Sequence, residues 1–478
     1  MARICQTVTA STMTELRRAR DGATSADLVE LRLDGVRDID VAGALDGRTK
    51  PVIVTCRPAW EGGAFSGSEE ERLRILSAAI RLGAEYVDVE WRAKRAALPG
   101  FGRTRLVMSM HDYDGVPADL AARVRNLRAA AVTGITKIAV ATPTLRDCVR
   151  LRDAVGQGTD QVVIGMGAAG VITRVCPWLC DSLWTYGGSA APGQTSASDL
   201  RELYRAGKTT KATTVYALTG APLVHSASPA MLNAAFAAAG HDAVYVPMES
   251  RDAAAFLEAA NAFGVAGASV TAPLKAAWTS LPVTMDPTAR EIGAVNTLKR
   301  EDATWVGRNF DVDGFLTPLA RRGHGRSGGR AVVLGAGGAA RAAAWALDRE
   351  GMRVEIAARR PAAAADLASH LGIETAPWPP APGWDLLVNA TPVGTWPDAD
   401  TSPLEAAALR GRIVYDLVYN PAETKLLRLA RLAGAETIGG LEMLVAQAEA
   451  QFSFWTGQPA PAGVMERAAL QFLRRWSA

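Results

Sequence analysis

Through the first two hundred or so residues, short apolar runs alternate with longer amphipathic stretches. The runs are RICQTVT (3–9), LVELRLD (28–34), VIVTCR (52–57), YVDVEW (86–91), RLVMSMHD (105–112), ITKIAVA (135–141), VVIGMG (162–167) and LWTYGG (183–188). β-branched and aromatic residues are frequent in them, and helical stretches separate them, which predicts eight strand–helix units. Such a series predicts a (β/α)8 barrel over 1–205, with its chemistry at the C-terminal ends of the strands. The polar residues lie there. Glu30 and Arg32 are two apart on one strand face, Arg57 and His111 end strands, and Lys137 faces the same way as Ile135 and Ala139.

The basic, polar stretch RAGKTTKATT predicts a linker over 206–213, after which the pattern starts again. TVYALTG, a helix from about 228 to 239, AVYVPME, a further helix and GVAGASVTAPLK predict an α/β domain over 214–328. RAVVLGAGGAARAAAWAL (330–347) reads as strand, turn and helix. With RVEIAARR (353–360), DLLVNAT (385–391) and IVYDLVY (413–419) it predicts a Rossmann-like domain over 329–437. A long helical stretch at about 440–457 ends at FWTG and opens a helical C-terminal segment, 438–478. The fold class expected is therefore α/β throughout.

Composition narrows the partners. With 478 residues, 49% hydrophobic and 21% charged, the chain is ordinary globular protein of several domains. A net charge of +3 is too mild and scattered to argue for nucleic acid, and the basic stretch ARRGHGRSGGR (320–330) reads as a solvated loop. Cys5, Cys56, Cys148, Cys176 and Cys180 follow no metal-ligand spacing, and their odd number argues against a disulfide framework. MARICQTVTAS runs straight into a strand, without the apolar core of a signal peptide. No apolar run approaches the ~18 residues that a membrane span needs. A reducing cytoplasm is the expected compartment, with no metal and no membrane.

Lys137 among aliphatic residues is the first chemical signal. Desolvation and cationic neighbours are expected to lower its pKa from ~10.4, making it a nucleophile toward a carbonyl. The imine so formed acidifies the adjacent C–H, and His111, the only histidine of this half, is the candidate base. Glu61, four residues after Arg57, is placed to orient the imidazole. Alone, Lys137 would read as a lysine snorkelling at a strand end and His111 as a structural histidine. Their convergence with Glu30, Arg32, Arg57 and Arg174 favours catalysis.

The second signal is GAGGAAR, where Gly335, Ala336, Gly337, Gly338 and Ala339 follow an apolar strand and open a helix. That context suits a dinucleotide pyrophosphate. The next strand ends AARR instead of in an acid, so Arg359 and Arg360 suit a 2′-phosphate and the cofactor expected is NADP.

Six motifs in order, VELRLD, TCRPAWEGG, SMHDY, TKIAVA, MGAAGVITR and SAAPGQ, resemble type I 3-dehydroquinate dehydratase across 1–205. The resemblance implies that Lys137 forms an imine with 3-dehydroquinate, while His111 takes a C2 proton and later protonates the departing C1 hydroxyl. It implies that Arg174 holds the carboxylate and that Glu30, Arg32, Arg57 and Gln194 position ring hydroxyls, with Thr7 a further candidate. Ala190 departs from the pattern, where some relatives carry a substrate-binding serine, and Ser189 is the nearest substitute.

VHSASP, GASVTAPLK, GAVNT, GRNFDVDG, NATPVG, DLVYNPAET and GGLEMLVAQAEAQFSFWTG resemble shikimate dehydrogenase over about 213–478. That resemblance implies C-terminal helices returning to the 214–328 domain. It assigns Ser226, Ser228, Thr271, Asn296 and Gln447 to the carboxylate and hydroxyls of 3-dehydroshikimate, and Lys275 with Asp311 to catalysis. Tyr419 and Gly440 would contact substrate or nicotinamide, with Leu417 an apolar neighbour, and Asn389 and Thr391 would lie on the cofactor side. Ser269 stands where relatives often carry asparagine, and Phe310 replaces a common threonine.

Together the two halves resemble a fusion that converts 3-dehydroquinate to 3-dehydroshikimate and then, with NADPH, to shikimate. A homodimer is left open. Two other readings stand beside this one: quinate as the second substrate, and a non-catalytic sensor of the same build. The two serines of HSAS favour shikimate. Retention of Lys137, His111, Lys275 and Asp311, without a DNA-binding motif, speaks against the sensor.

Overall fold

The computed structural model describes residues 2–94, 98–188, 194–324 and 328–476. By its internal contacts the chain divides into two units, Met1–Val215 with Asp242–Val265, and Tyr216–His241 with Ala266–Ala478.

Eight parallel strands of the first unit are β1 Arg3–Thr9, β2 Leu28–Arg32, β3 Val52–Thr55, β4 Tyr86–Glu90, β5 Arg105–Asp112, β6 Ile135–Ala141, β7 Gln161–Met166 and β8 Trp184–Gly187. Their order is β7-β6-β5-β4-β3-β2-β1-β8, so neighbours in sequence are neighbours in the sheet and β8 returns to β1. A single bridge, Gln161 to Ser182, joins the β7 and β8 edges, which leaves the barrel nearly closed. Helices start where capping boxes satisfy their first amides, from Thr12, Ser68 and Thr144.

Strand alternation sorts the barrel interior into layers. Leu28, Ile53, Tyr86, Val107, Ile135, Val162 and Trp184 form an apolar floor. Two residues further along five of those strands stand Glu30, Thr55, Asp88, Ser109 and Lys137, all buried. Inward positions recur every second residue, so these strands stack a polar layer on a dry one. The opposite faces of β2, β3 and β4, with Val29, Leu31, Val52, Val54, Val87 and Val89, share an outer core with the covering helices.

A second, mixed sheet has the order β10-β9-β11-β13-β14-β12. Its strands are β9 Thr214–Thr219, β10 Ala243–Pro247, β11 Val265–Val270, β12 Val283–Met285, β13 Thr297–Glu301 and β14 Thr304–Arg308. The third sheet contains β15 Arg330–Leu334, β16 Arg353–Ala357, β17 Glu374–Thr375, β18 Leu386–Asn389, β19 Ile413–Asp416 and β20 Glu436–Gly439, all parallel. Its order β17-β16-β15-β18-β19-β20 reverses direction between β15 and β18. The crevice outside those two strand ends is where such sheets bind ligands.

The helix Gly440–Thr456 packs back on the second sheet: Trp455 Nε1 donates to Leu298 O at 3.0 Å, and its ring stacks on Tyr216. All five cysteines are buried and free. Among the described residues, no helix is long and apolar enough to cross a membrane.

Candidate active sites

A cavity of about 290 Å³ opens at the C-terminal strand ends of the barrel. Thr7, Glu30, Arg32, Arg57, His111, Lys137, Arg174 and Gln194 line it, eight of the nine residues the sequence proposes for this half. Glu61 is buried behind His111. Ser189 and Ala190 lie outside the described residues.

Lys137 Nζ is 2.9 Å from Glu30 Oε1 and 3.0 Å from Asp88 Oδ2, and 4.4 Å from the centre of the Tyr186 ring. Burial alone would lower its pKa, but Asp88 and Glu30 outweigh burial and hold it above the usual lysine value. This corrects the expected lowering: carboxylates from β2 and β4 reach Nζ, and the nearby cation Arg57 is a weaker influence. Glu30 itself accepts from Thr7 Oγ1 at 2.9 Å and Thr55 Oγ1 at 3.0 Å.

Arg57 ties this layer together. It reaches Asp88 Oδ2 at 3.1 Å, Glu90 Oε1 at 2.7 Å and Ser109 Oγ at 2.7 Å. Arg72 takes the other oxygen of Glu90 at 2.5 Å. Lys137, Arg57 and Arg72 thus face Glu30, Asp88 and Glu90, and such burial is tolerable because each charge is paired. Arg32 is held bidentately by Asp34, both contacts at 2.8 Å.

Burial, with Arg57 and Lys137 nearby, pushes the His111 pKa well below the usual histidine value, so the ring is neutral and able to take a proton. Glu61 Oε1 accepts the His111 backbone N–H at 2.8 Å and stands 3.5 Å from Nδ1. Glu61 therefore anchors the main chain under the imidazole as well as flanking its ring. Tyr113 stacks over His111 at 6.2 Å between centroids. Burial brings the Arg174 guanidinium down to about 10, and its Nη2 donates to Gly167 O at 2.7 Å.

Asp88, Tyr113 and Tyr186 belong to this site and were missed by the motif reading. The signal for Asp88 was present: in YVDVEW two acids, Asp88 and Glu90, alternate with valines, which aims both inward.

In the second unit, Lys275 Nζ lies 2.5 Å from Asp311 Oδ2. Asp311 is the first residue of the helix Asp311–Arg321, whose N-terminus favours its negative charge. Its Oδ1 accepts from Asn296 Nδ2 at 2.9 Å. The Asn296 Oδ1 accepts from Thr297 Oγ1 at 2.7 Å and from the Phe310 N–H at 2.8 Å. The Phe310 departure therefore keeps a backbone role, and its ring packs 5.5 Å from Phe454.

Around this pair is a cavity of about 250 Å³. Ser226, Ser228, Thr271, Asn296, Leu417, Tyr419, Gly440 and Gln447 line it as the sequence proposes, and Ser269 and Gln451 join them. Ser228 does not cap its helix: Ala227 holds that position, and Ser226 Oγ accepts the Ser228 N–H at 3.3 Å. Both hydroxyls stay on the cavity wall.

A larger cavity of about 640 Å³ shares Lys275, Leu417 and Tyr419 and runs past Ala336, Gly337, Gly338 and Ala339 to Thr391. Gly335 makes the preceding turn at a φ of 110°. The helix Gly338–Arg349 begins here with no side chain capping its first amides, and a Cβ on Gly337 would meet nothing within 4 Å. Open space before bare helix amides fits a dinucleotide pyrophosphate. Gly338 is packed more tightly, because a Cβ there would come 2.9 Å from Lys275 Cδ.

Arg359 and Arg360 follow β16, exposed and without an ion pair among the described residues. Asn389 is fully buried instead of lining the cleft. Its Oδ1 accepts the Thr391 N–H at 3.0 Å and hydroxyl at 2.7 Å, and its Nδ2 donates to Asp416 Oδ1 at 2.9 Å. It acts on the cleft through Thr391. Among the described residues no group of three or more His, Cys, Asp or Glu is placed to hold a metal.

A barrel with a buried lysine at its mouth, and a Rossmann-like sheet beside a lysine–aspartate cleft, define an α/β enzyme with two active sites. The family model for type I 3-dehydroquinase matches residues 4–211. The models for the shikimate dehydrogenase substrate binding domain and the shikimate 5′-dehydrogenase C-terminal domain match 218–298 and 440–470. The chloroplastic bifunctional 3-dehydroquinate dehydratase/shikimate dehydrogenase of Arabidopsis thaliana is 33% identical over 91% of this chain and 78% of its own. The NADP(+) shikimate dehydrogenase of Moorella thermoacetica is 44% identical, over 53% of this chain and 92% of its own. Shikimate 5-dehydrogenase from Thermus thermophilus, solved with NADP(H) and shikimate, superposes with a TM-score of 0.51 at 36% identity, over 54% of this chain and 100% of that one. The chain belongs to the family of bifunctional 3-dehydroquinate dehydratase/shikimate dehydrogenases, lyase in its first half and oxidoreductase in its second.

Proposed function

We propose that the barrel dehydrates 3-dehydroquinate to 3-dehydroshikimate through a Lys137 imine, and that the second unit reduces this product to shikimate with NADPH. The observation that carries the first step is Lys137 buried between Glu30 and Asp88, with neutral His111 on the adjacent strand. Lys137 gives up its proton and attacks the ring carbonyl, and loss of water leaves a cationic iminium. Glu30 and Asp88, which hold the ammonium, stabilise that cation in the same place. His111 removes a C2 proton, and the electron pair passes to the iminium nitrogen. Its return expels the C1 hydroxyl, protonated by His111 as water, and hydrolysis of the imine frees the enone. Arg174 would hold the substrate carboxylate by charge-assisted hydrogen bonds.

In the second site NADPH supplies a hydride when bound. The helix amides at Gly338 and the two free arginines after β16 would hold its phosphates. Lys275 donates to the carbonyl oxygen as charge develops there and delivers the proton, and Asp311, 2.5 Å from Nζ, keeps it aimed. Asn296 holds Asp311, while Ser226, Ser228, Thr271 and Gln447 would meet the substrate's carboxylate and hydroxyls.

The test is NADPH oxidation by the purified chain given only 3-dehydroquinate, with shikimate identified as product. Both sites must work for that signal. If 3-dehydroshikimate is reduced and 3-dehydroquinate is not, the barrel assignment is wrong. If neither reacts, both are.

A further inference from the structure

Tyr186 is the aromatic member of the polar layer in the barrel. On β8 it stands two residues beyond Trp184 of the apolar floor, the same step that separates Glu30 from Leu28 and Lys137 from Ile135. It is 3% exposed and lines the 290 Å³ cavity, and Lys137 Nζ lies over its ring, 4.4 Å from the centroid. That is inside the ~6 Å over which a ring face attracts a cation, and burial of both groups strengthens the attraction by removing water. Burial, and then the charge of Glu30, hold the Tyr186 hydroxyl well above the usual tyrosine value. The phenol keeps its proton, so the ring meets the cation through its face and not as a phenolate base.

Imine formation changes what this nitrogen can offer. As an ammonium, Nζ carries three N–H donors and gives one to Glu30 Oε1 at 2.9 Å and one to Asp88 Oδ2 at 3.0 Å. When it condenses with a ring carbonyl, two of its protons leave with the carbonyl oxygen as water. The iminium keeps a single N–H, and one of the two carboxylate hydrogen bonds is given up while the positive charge remains. A ring face attracts that charge without needing a hydrogen. We propose that Tyr186 is a catalytic residue of the dehydration, its ring face stabilising the Lys137 iminium as the nitrogen gives up one of its carboxylate hydrogen bonds. The inference rests on the proposed imine. It carries through to the elimination, where the electron pair from C2 neutralises the iminium to an enamine. Return of that pair breaks the C1–O bond, sends the hydroxyl out as water with the proton of His111, and restores the cation beside the ring. A face that favours the cation over the neutral enamine favours this expulsion.

The test is electronic. In the full-length chain, Tyr186 is replaced by phenylalanine and then by its mono-, di- and trifluoro derivatives, which draw electron density from the ring face and hardly change its size. With Tyr186→Phe as the reference, each added fluorine should lower kcat for dehydration, by about tenfold over the series, while KM for 3-dehydroquinate changes less and Tm stays level. The share of Lys137 trapped as an adduct by borohydride with 3-dehydroquinate should fall in step. A kcat that does not follow the fluorine count overturns the assignment, and so does Tyr186→Leu at the wild-type rate. A slow Tyr186→Leu beside a flat fluorine series marks packing alone and overturns it as well. If borohydride with 3-dehydroquinate leaves no ligand mass on Lys137 of the wild-type chain, the imine reading fails first and this inference falls with it.

Discussion

Lys137 Nζ and Asp88 Oδ2 stand 3.0 Å apart across the barrel mouth, and the same oxygen is 3.1 Å from Arg57 Nη2. One carboxylate thus serves two buried cations. Removing it leaves both short of negative charge, and breaking a buried pair costs about 3 kcal/mol or more. Asp88→Asn should therefore lower the stability of the first unit by that order, measured by denaturant unfolding.

The same change should move the pH profile of dehydration. Asp88 and Glu30 raise the Lys137 pKa above its unfolded value of ~10.4. Their pairing contributes stability that is complete below that pH and is lost as pH rises through the folded value. Without Asp88 the free amine forms at lower pH, so the rise of kcat/KM with pH should shift downward. An unshifted profile would mean that Asp88 does not set the charge of Lys137.

What could be read beforehand follows from range. The eight strands and the glycine turn are local patterns of four to eight residues, and they are where the alternation placed them. The charge state of Lys137 is not legible because its partners are 107 and 49 residues away, on alternate strands whose inward faces only the curved barrel brings together. The contact between Ser269 and Gln451 is illegible in the sequence for the same reason, since they lie 182 residues apart. Asn389 was legible as part of a motif, but which face of the loop it supports was not.

Gly338 shows how tightly the glycine-rich turn and Lys275 are fitted. An alanine there would place its Cβ 2.9 Å from Lys275 Cδ and 3.0 Å from Lys275 Cβ. The stem of the lysine must move, and with it the 2.5 Å contact to Asp311. Alanine is otherwise the better helix former, by up to about 1 kcal/mol. Gly338→Ala should thus leave Tm level or raised, while reduction falls at least tenfold and dehydration is untouched. Steady-state assays of the two half-reactions check this, and a fall in both would point to a wider disturbance.

Asp416, the last residue of β19, ties the end of β18, the turn after its own strand and the start of the helix Lys425–Leu432 together. Its Oδ1 accepts from Asn389 Nδ2 at 2.9 Å and the Val418 N–H at 3.1 Å, and its Oδ2 from Thr424 Oγ1 at 2.6 Å. Burial raises its pKa to about 6 in spite of these donors. A raised folded pKa means stability that is complete below the unfolded value and lost as pH rises through about 6. Function should run the other way. Below pH 6 a proton on an accepting oxygen faces a donor, loosening Asn389 and the Thr391 turn it holds. KM for the dinucleotide should rise as pH falls from 7 to 5. NADH is the better probe, because the 2′-phosphate of NADPH itself titrates near about 6. A KM for NADH that is flat across this range would separate Asp416 from the cofactor cleft.

Arg359 and Arg360 are expected to set the preference between dinucleotides. They follow the strand beside β15, near the position where a carboxylate would bind a ribose hydroxyl, and no acidic side chain among the described residues pairs with either. Exposed arginines without partners keep their donors for a phosphate at little desolvation cost. A charge-assisted hydrogen bond contributes about 1.5–3 kcal/mol, so Arg359→Ala should raise KM for NADPH roughly ten- to a hundredfold. KM for NADH, which has no 2′-phosphate, should hardly change. The preference of wild type should also fade as salt is raised, because exposed charges are screened within about 10 Å at 0.1 M. Arg360→Ala should act in the same direction, and the double variant should accept both cofactors alike. Equal weakening toward NADPH and NADH would assign the two arginines to the fold of the turn instead of to the phosphate.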